Sequence, residues 1–338
     1  MLFKVILPLG LLVAFSDALH SAMLRGAREP HESQKTESHA NRTTHTQNFF
    51  ISERTTASSS TTAMPQMFVA IFSKRSSPVS QRNAIRDLWR EVDHGSGVVC
   101  ARFAMCSGQD NFQQSLIAEN QQSGDLLFLP CTEGYAEGLL TKKVIAIMKE
   151  YRHSSDPCLN RPLMMKIDDD TFVAGHRFRD GMAQAAAKFG TGFIYAGVPI
   201  PDIPRQQPIR DPKSPWYEPL STWSQDFPPA MYGGTGYVMG RQLIEKILDN
   251  GIADQHILWN EDRAVGAWAY LMEKRGATVN QVVISGTNGF SWDRPVQNGM
   301  WKSYPYVLHH HLNIGSIRCL TMVDHSNNPD AGIDHCFR

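Results

Sequence analysis

Three consecutive aspartates, Asp168, Asp169 and Asp170, interrupt the otherwise apolar segment MMKIDDDTFV at residues 164–173. Adjacent carboxylates repel one another, so folding alone gives little reason to place three of them at a strand end. A divalent cation gives such a reason, because Mg²⁺ and Mn²⁺ prefer oxygen ligands and usually share carboxylates with substrate phosphates. A solvated acidic turn is the alternative. The apolar flanks favour the metal site.

Strand-forming runs alternate with helical patterns through the middle of the chain. Strands are predicted at 67–72, 98–105, 125–130, 163–167 and 193–198. Helices are predicted after Ser77, as N-cap to Pro78, at 140–151, and at 183–189 with Gly190 as C-cap. This alternation predicts an α/β sheet with substantial parallel character. Ligands of such sheets bind at the carboxyl ends of strands, where the aspartates would lie.

The N-terminal residues have the pattern of an export signal. The apolar core at 5–15 is short for a membrane-spanning helix, which needs about 20 residues, and Ser16-Asp17-Ala18 resembles a cleavage site. We interpret 1–18 as a signal peptide or a short uncleaved signal anchor. Residues 19–65 are rich in Ser and Thr, include the sequon at Asn41, and are predicted to form a flexible stem. A folded domain is expected over 66–338.

Charge and cysteine content narrow the class of partner. The chain has 33 basic and 33 acidic residues and lacks a basic stripe with interleaved aromatic residues, which argues against nucleic-acid binding. Its six cysteines, in an exported chain, favour disulfides over buried free thiols. Cys319 and Cys336 are candidates for a disulfide that fastens the C-terminal tail.

A proline-rich segment at 200–229 breaks the alternation of strands and helices. A connection of this length in a compact domain is usually functional or disordered. Its aromatic residues, Trp216, Tyr217 and Trp223, favour an ordered surface that could stack on sugar rings. Alternatively, Trp216 and Trp223 pin the loop to the core. The two interpretations are compatible.

A glycine-rich segment, MYGGTGYVMG, follows at 231–240. Gly233, Gly234 and Gly236 would let the backbone approach a ligand closely or adopt positive φ. The spacing is not G-x-G-x-x-G, and the segment precedes a strand instead of following one, which argues against a dinucleotide-binding fingerprint. A tight turn is the alternative interpretation.

The next predicted helix carries two carboxylates in its first turn. Asn260 is the expected N-cap, Glu261 and Asp262 follow it, and Gly276 ends the helix after two basic residues. This arrangement is favourable for the helix macrodipole and needs no function to explain it. The functional alternative is a general base at a helix N-terminus that faces a cleft.

Five sequence blocks occur in the order in which one enzyme family has them. The blocks are QRNAIRDLWR, GDLLFLPCTEGYAEGLLTKK, MMKIDDDTFV, FPPAMYGGTGYVMG and EDRAVG. They resemble the β-1,3-glycosyltransferases, which include the β-1,3-galactosyltransferases, the core 1 enzymes and the Fringe proteins. The resemblance implies a GT-A type nucleotide-sugar transferase fold, a single Rossmann-like domain with a mixed central sheet. The chain departs from the family at Arg263, where the family has valine.

The resemblance implies an inverting, metal-dependent transferase that moves a hexose from a UDP-sugar to a glycan or glycoprotein. Galactose in β-1,3 linkage is the first expectation, and UDP-N-acetylglucosamine is the alternative donor. Alternatives of other classes are a non-catalytic lumenal sugar-binding protein and a metal-dependent hydrolase. The expected location is the Golgi membrane with a lumenal, type II catalytic domain, or outside the cell if the signal is cleaved.

By the same resemblance, Asp168 and Asp170 would hold Mn²⁺ or Mg²⁺ against the diphosphate of the donor. A histidine near the C-terminus would supply a further ligand. In a strand, His309 and His311 share one face while His310 points to the other, so at most two of the three can face the ion. His309 and His311 are the named candidates, and the pattern does not choose among the three. A solvated histidine loop is the alternative.

Inversion needs a base on the acceptor hydroxyl, and the resemblance assigns this role to Asp262, with Glu261 as the second candidate. Arg82 and Arg86 share a helix face and would either meet the diphosphate or brace the sheet through carboxylates. Lys143 is a donor contact or a solvated helix charge. The residues expected to contact the donor are Arg82, Arg86, Lys143, Asp168, Asp169, Gly234 and Gly236.

Overall fold

The computed structural model describes residues 63–107, 114–201, 206–284, 307–325 and 336. The proposed signal segment at 1–18, the sequon at Asn41 and nearly all of the proposed stem at 19–65 lie outside these residues. Among the described residues, no helix is both long enough and apolar enough to cross a membrane.

A mixed sheet forms the centre of the described structure. Its strands are β1 (Met67–Phe72), β2 (Val99–Cys106), β3 (Leu126–Leu129), β4 (Leu163–Asp168), β6 (Ile194–Gly197), β7 (Tyr237–Gly240) and β8 (Asn280–Val283). Their order across the sheet is β3-β2-β1-β4-β7-β6-β8. Strand β7 runs antiparallel to β4 and β6, and the other neighbouring strands are parallel. The predicted α/β fold with a mixed sheet is confirmed.

Helices cover both faces of this sheet. They are α1 (Val79–Asp93), α2 (Gln114–Ser123), α3 (Leu139–His153), α4 (Gly175–Phe189), α5 (Arg241–Asp249), α6 (Ile252–Gln255), α7 (Glu261–Lys274) and α8 (Ile314–His325). Alternate residues of β1 enter two separate clusters, one with α1, α4 and α8, the other with α3, α5 and α7. A strand buried on both faces reads as a continuous apolar run, which is why MFVAIF shows no polar alternation.

Strand register brings the functional segments together. Phe72 of β1 pairs with Asp168 of β4, so both strands end at the same edge. Because β7 is antiparallel, Tyr237 pairs with Lys166, and the glycine-rich turn before Tyr237 lies beside the aspartates. A small second sheet joins β5 (Phe172–Val173) to β9 (Leu308–His309) and brings the histidines to the same edge.

The sequence located β1 without error and β2 one residue too early. The predicted start of α1 is also wrong by one residue, because Pro78 and not Ser77 is the N-cap. Pro78 keeps an extended ψ of 147°, and its carbonyl accepts the N–H of Gln81 at 3.0 Å. The helix therefore begins at Val79.

Three disulfides link all six cysteines. They join Cys100 to Cys158, Cys106 to Cys131 and Cys319 to Cys336. Their Cα–Cα distances of 5.4, 4.8 and 5.3 Å lie in the ordinary range. The predicted link from Cys319 to Cys336 is confirmed, and it fastens Cys336 to α8.

Candidate active site

The three aspartates differ in what they contact, although they are adjacent in the chain. Asp169 is held by the protein: its backbone N–H donates to the Phe72 carbonyl (3.2 Å), and its carboxylate accepts from Ser73 Oγ (2.6 Å) and Gln81 Nε2 (3.2 Å). Burial raises the pKa of Asp169. Asp168 and Asp170 instead both face His310, which comes from a distant segment. Asp169 is therefore a structural carboxylate, whereas Asp168 and Asp170 share the neighbourhood of His310.

His310 approaches both of those carboxylates. Its Nε2 lies 3.0 Å from Asp170 Oδ1 and 3.5 Å from Asp168 Oδ2, while His311 Nδ1 lies 3.5 Å from Asp170 Oδ2. Burial lowers the pKa of His310, but the two aspartates outweigh it and raise that pKa to about 9. Burial likewise opposes the charge on Asp170, yet both histidines hold its pKa below the ordinary value.

Strand alternation does not decide which way the three histidines point in this structure. Strand β9 ends at His309, and His311 has a positive φ of 62°, so the period of two does not continue past that residue. His310 and His311 stack with ring centroids 3.8 Å apart. His309 is buried opposite Phe172, and burial lowers its pKa to about 4. The structure therefore places His310, and not His309, among the aspartates.

The donor atoms of Asp170, His310 and His311 fit one cation. One ligand atom from each lies within 4.8 Å of the others. Asp170 Oδ1 is buried and accepts no well-aligned hydrogen bond from the described residues, although His310 Nε2 is 3.0 Å away. Two ligands at right angles around an octahedral cation, with bonds of about 2.1 Å, lie roughly 3 Å apart. Because imidazole nitrogen is a ligand for transition metals, this mixed oxygen–nitrogen set fits a divalent transition-metal ion better than Mg²⁺.

Lys166 is a buried cation that the sequence analysis did not identify. Its Nζ donates to Asp168 Oδ1 (2.8 Å) and to the Gly233 carbonyl (2.9 Å), and lies 3.5 Å from Glu261 Oε2. Burial opposes its charge, but the carboxylates outweigh that effect and raise its pKa. The available signal was a lysine in an apolar strand, two residues before Asp168 and hence on the same side of the strand.

Glycines form the contact between the aspartate edge and α7. A Cβ on Gly233 would lie 2.2 Å from Glu261 Oε2, and one on Gly234 would lie 2.1 Å from His310 Cε1. Gly236 has a positive φ of 94°. Gly234 and Gly236 pack closely on protein groups, and the donor contact expected of them stays a prediction.

The two carboxylates of α7 have different environments. Glu261 is buried, accepts from Tyr237 Oη (2.5 Å) and faces Lys166, and burial raises its pKa. Asp262 is half-buried and accepts from the backbone N–H of Arg263 (2.8 Å). Burial also raises the pKa of Asp262, while the Arg263 guanidinium opposes that rise. Glu261 is engaged inside the protein, whereas Asp262 is more accessible.

A cleft of about 270 Å³ opens next to the aspartates. It is lined by Phe72, Ser73, Lys74, Ser77, Gln81, Glu133, Gly134, Tyr135, Leu140, Lys143 and the three aspartates. Lys143 is buried, and its Nζ donates to the Ser73 carbonyl (3.0 Å) and to Glu133 Oε1 (3.1 Å). Burial lowers the pKa of Lys143. The solvated-charge alternative for Lys143 is therefore wrong.

A family profile described as Galactosyltransferase matches residues 80–275, which include α7 and the edge where the aspartates lie. The chain belongs to the galactosyltransferase family. This family membership agrees with a GT-A-like fold built on the mixed sheet described above.

Similar curated proteins carry related names. Beta-1,3-galactosyltransferase GALT1 of Arabidopsis thaliana is 27% identical over 215 residues, which cover 62% of this chain and 31% of that protein. Beta-1,3-galactosyltransferase 1 of Mus musculus is 25% identical over 191 residues, covering 55% and 54%. Lactosylceramide 1,3-N-acetyl-beta-D-glucosaminyltransferase A of Danio rerio is 26% identical over 188 residues, covering 51% and 46%. The matched region spans about a third to a half of these relatives.

Arg82 and Arg86 brace the galactosyltransferase domain. Arg82 Nε donates to Glu119 Oε1 (2.8 Å), and Arg86 reaches both Glu119 (2.6 Å) and Asp125 (2.7 Å). Neither arginine lines the cleft. These ion pairs join α1 to α2 and to the start of β3. The structure favours the bracing interpretation over the expected donor contact, because the guanidinium groups already have carboxylate partners.

The proline-rich segment is attached to the core by one of its two tryptophans, Trp223, which packs in the same cluster as α3, α5 and α7. Trp223 is buried, and its indole N–H donates to the Asp226 carbonyl (3.2 Å). Trp216 is 57% exposed. The pinned-loop interpretation therefore holds for Trp223, while Trp216 keeps the open face that stacking on a sugar ring would require.

Proposed function

We propose that the protein is an inverting, metal-dependent transferase that moves galactose from UDP-galactose to a hydroxyl of a glycan or glycoprotein, forming a β-1,3 linkage. One observation carries the proposal. The Gly233-Gly234 turn touches Glu261 of α7 on one side and His310 on the other. A cation site and a candidate base are thereby adjacent in a chain of the galactosyltransferase family.

Asp170, His310 and His311 would hold Mn²⁺, with Asp168 beside them. When bound, the ion supplies positive charge where negative charge develops on the departing UDP. Lys166 restrains Asp168 through its 2.8 Å contact. The cleft lined by Ser73, Lys143 and the aspartates is the proposed donor site.

Asp262 is the proposed general base. Inversion occurs by a single displacement, so the acceptor hydroxyl must lose its proton to a group within hydrogen-bond reach. The raised pKa of Asp262 makes its carboxylate a stronger base than that of an exposed aspartate. Glu261 is the weaker candidate because Tyr237 and Lys166 already engage its carboxylate.

A second donor, UDP-N-acetylglucosamine, is supported by one relative. The Danio rerio protein similar to this chain is named for N-acetylglucosamine transfer. Galactose remains the first proposal because the family profile and the other two named relatives refer to galactosyltransferases.

We place the enzyme in the secretory pathway, either in the Golgi membrane through residues 1–18 or secreted after their cleavage. Three disulfides support an oxidising compartment, since cytosolic thiols are kept reduced.

The direct test is UDP release by the purified full-length chain. UDP-galactose, UDP-N-acetylglucosamine and UDP-glucose are supplied with Mn²⁺ or with chelator, each with and without β-galactoside, N-acetylglucosamine and N-acetylgalactosamine acceptors. We expect Mn²⁺-dependent release that rises with one acceptor and is greatest for UDP-galactose. Asp170→Ala should lose the response to Mn²⁺, while Asp87→Ala, which removes an exposed carboxylate of α1, should keep it. UDP release that depends on neither Mn²⁺ nor acceptor would contradict the proposal.

Gly234→Ala is expected to weaken Mn²⁺ binding by about 10–100-fold, the loss typical when a group that orients a metal ligand is disturbed. Its added methyl group would lie 2.1 Å from His310 Cε1 and must displace that ring. Titration calorimetry with Mn²⁺ measures the change. Gly315→Ala is the matched control, because its methyl group lies on an exposed helix residue with Asn313 Oδ1 at 3.2 Å. Equal Mn²⁺ affinity in both variants would argue against His310 as a ligand.

A further inference from the structure

The carboxylate of Glu218 is buried between the proline-rich segment and the start of α7. Trp259 N–H donates to both of its oxygens at 3.0 Å, and Asn260 donates to Oε2 through its backbone (3.1 Å) and its side-chain amide (2.8 Å). Thr222 Oγ1 supplies a further bond of 2.5 Å. Glu218 is therefore well satisfied as an ionised acceptor, and most of its donors precede α7.

Glu218 binds the N-cap residue of α7, which the sequence correctly predicted to be Asn260. Asn260 occupies the N-cap position, but its side chain makes no capping bond and turns to Glu218 instead. A negative charge near a helix N-terminus is stabilising, and here it comes from a residue 42 positions earlier in the chain. The position of Asp262 in the first turn thus depends on where the proline-rich segment lies.

The segment around Glu218 is itself braced. Arg210 donates to the carbonyls of Glu218 and Trp223, at 2.6 Å each. The Glu218 N–H donates to the Ile209 carbonyl at 2.9 Å, and the Tyr217 ring meets the edge of Trp259 at a centroid distance of 5.3 Å. Because these contacts hold the loop in place, the bonds from Trp259 and Asn260 to Glu218 also fix the start of α7.

The same segment has an exposed apolar side. Trp216 is 57% exposed and Leu220 is 65% exposed. The Trp216 carbonyl lies 3.4 Å from Asn260 Nδ2, so the backbone of the segment contacts the residue that precedes α7.

We propose that Glu218 is a positioning residue that holds the Trp216 segment and Asp262 in one geometry, so that an acceptor placed against that segment presents its hydroxyl to the base. This inference rests on the proposed function. Glu218 touches neither donor nor acceptor and acts through Trp259 and Asn260. Its effect should therefore fall on the acceptor reaction and leave donor and metal binding unchanged.

Glu218→Gln keeps the shape of the side chain but leaves one acceptor oxygen and turns an amide N–H₂ toward the backbone donors of Trp259 and Asn260. We expect kcat for acceptor-dependent transfer to fall by about 10–100-fold, since a misplacement of about 1 Å can cost about 10²-fold. The Kd values for UDP and Mn²⁺, and UDP release without acceptor, should change less than about twofold. Glu218→Asp, which keeps the charge, should recover part of kcat.

Asn260→Asp tests the contact between Asn260 and Glu218 separately from the stability of α7. Aspartate is itself a favourable N-cap residue, so α7 should persist, but its carboxylate would oppose Glu218 across a contact that is now 2.8 Å. We expect a loss of kcat similar to that of Glu218→Gln. Thr222→Val is the matched control, because it removes a bond to Glu218 from within the segment and leaves the contacts to α7; its kcat should stay within about twofold.

The outcomes are distinct. A wild-type chain without acceptor-dependent transfer would overturn the proposed function itself. Normal kcat in Glu218→Gln, beside an active wild type, would overturn only the positioning role. Proportional loss of kcat, donor hydrolysis and Mn²⁺ binding, together with a lower Tm, would assign Glu218 a purely structural role and also overturn the inference.

Discussion

Asp262→Asn is expected to lower kcat for acceptor-dependent transfer by about 10²–10⁴-fold, the usual contribution of a general base. The substitution keeps the size of the side chain and its acceptor oxygen for the Arg263 N–H, at 2.8 Å in the native protein, but removes the basic oxygen. Steady-state kinetics with a saturating acceptor measure the loss. UDP and Mn²⁺ affinities should be preserved, because the carboxylate is not among the donor atoms of the cation cluster.

The pH dependence of kcat provides a control for the assignment of Asp262 as the base. The base must be ionised, so kcat should fall as pH decreases through the pKa of Asp262, which burial raises above the ordinary value. Arg263 opposes that rise, so Arg263→Val, the residue common in the family, should raise the pKa further and move the acidic limb to higher pH. An acidic limb that stays in place in Arg263→Val would indicate that another group is the base. Glu261→Gln, with kcat reduced more than in Asp262→Asn, would identify that group.

Lys166→Met is expected to reduce the free energy of unfolding by about 3–5 kcal/mol, the cost of breaking a buried ion pair by removing one partner. Lys166 has no solvent exposure, and its loss would leave Glu261 buried without its cation and Asp168 without a contact of 2.8 Å. The pKa of Lys166 is raised above its ordinary value of 10.5. Near neutral pH the ammonium is therefore charged in both the folded and the unfolded protein. Its stabilising effect is lost only in strongly alkaline solution. Urea unfolding at pH 7 measures the change.

A double variant tests whether the loss comes from the uncompensated charge. Lys166→Met with Glu261→Gln removes the buried carboxylate as well, and methionine fills much of the same apolar space. We expect the double variant to be more stable than Lys166→Met alone by at least about 1 kcal/mol, since the effects of substitutions at contacting residues are not additive. Additive losses in the double variant would indicate that Lys166 stabilises the fold mainly through the Gly233 carbonyl, at 2.9 Å, and its apolar stem.

Sequence patterns predicted most of the sheet because each buried strand is a local apolar run. MFVAIF and LMMKI need no knowledge of their neighbours to be recognised as strands, and the aspartates follow the second of them directly. The same local patterns gave the helix with Glu261 and Asp262 in its first turn. They also predicted the N-cap position of Asn260 correctly, but not that its side chain binds Glu218, which lies in a distant segment.

The histidines show why local periodicity fails near a site. Alternation along a strand would place His309 and His311 on one face, but β9 ends at His309 and the backbone of His311 turns to positive φ. Which ring faces Asp170 depends on that turn and on the pairing of β9 with β5, a contact between residues far apart in sequence.

The sequence by itself determined the α/β class and the strand that delivers the aspartates, because periodic burial is a local property. It offered the pair Cys319 and Cys336 as a candidate disulfide, and the structure decided the pairing. Tertiary structure alone decided that His310 joins Asp170, that Lys166 bridges Asp168 and Glu261, and that Glu218 holds the start of α7. Apart from the pair Lys166 and Asp168 within β4, these contacts join residues that are far apart in sequence, so their distances follow from how the segments pack together.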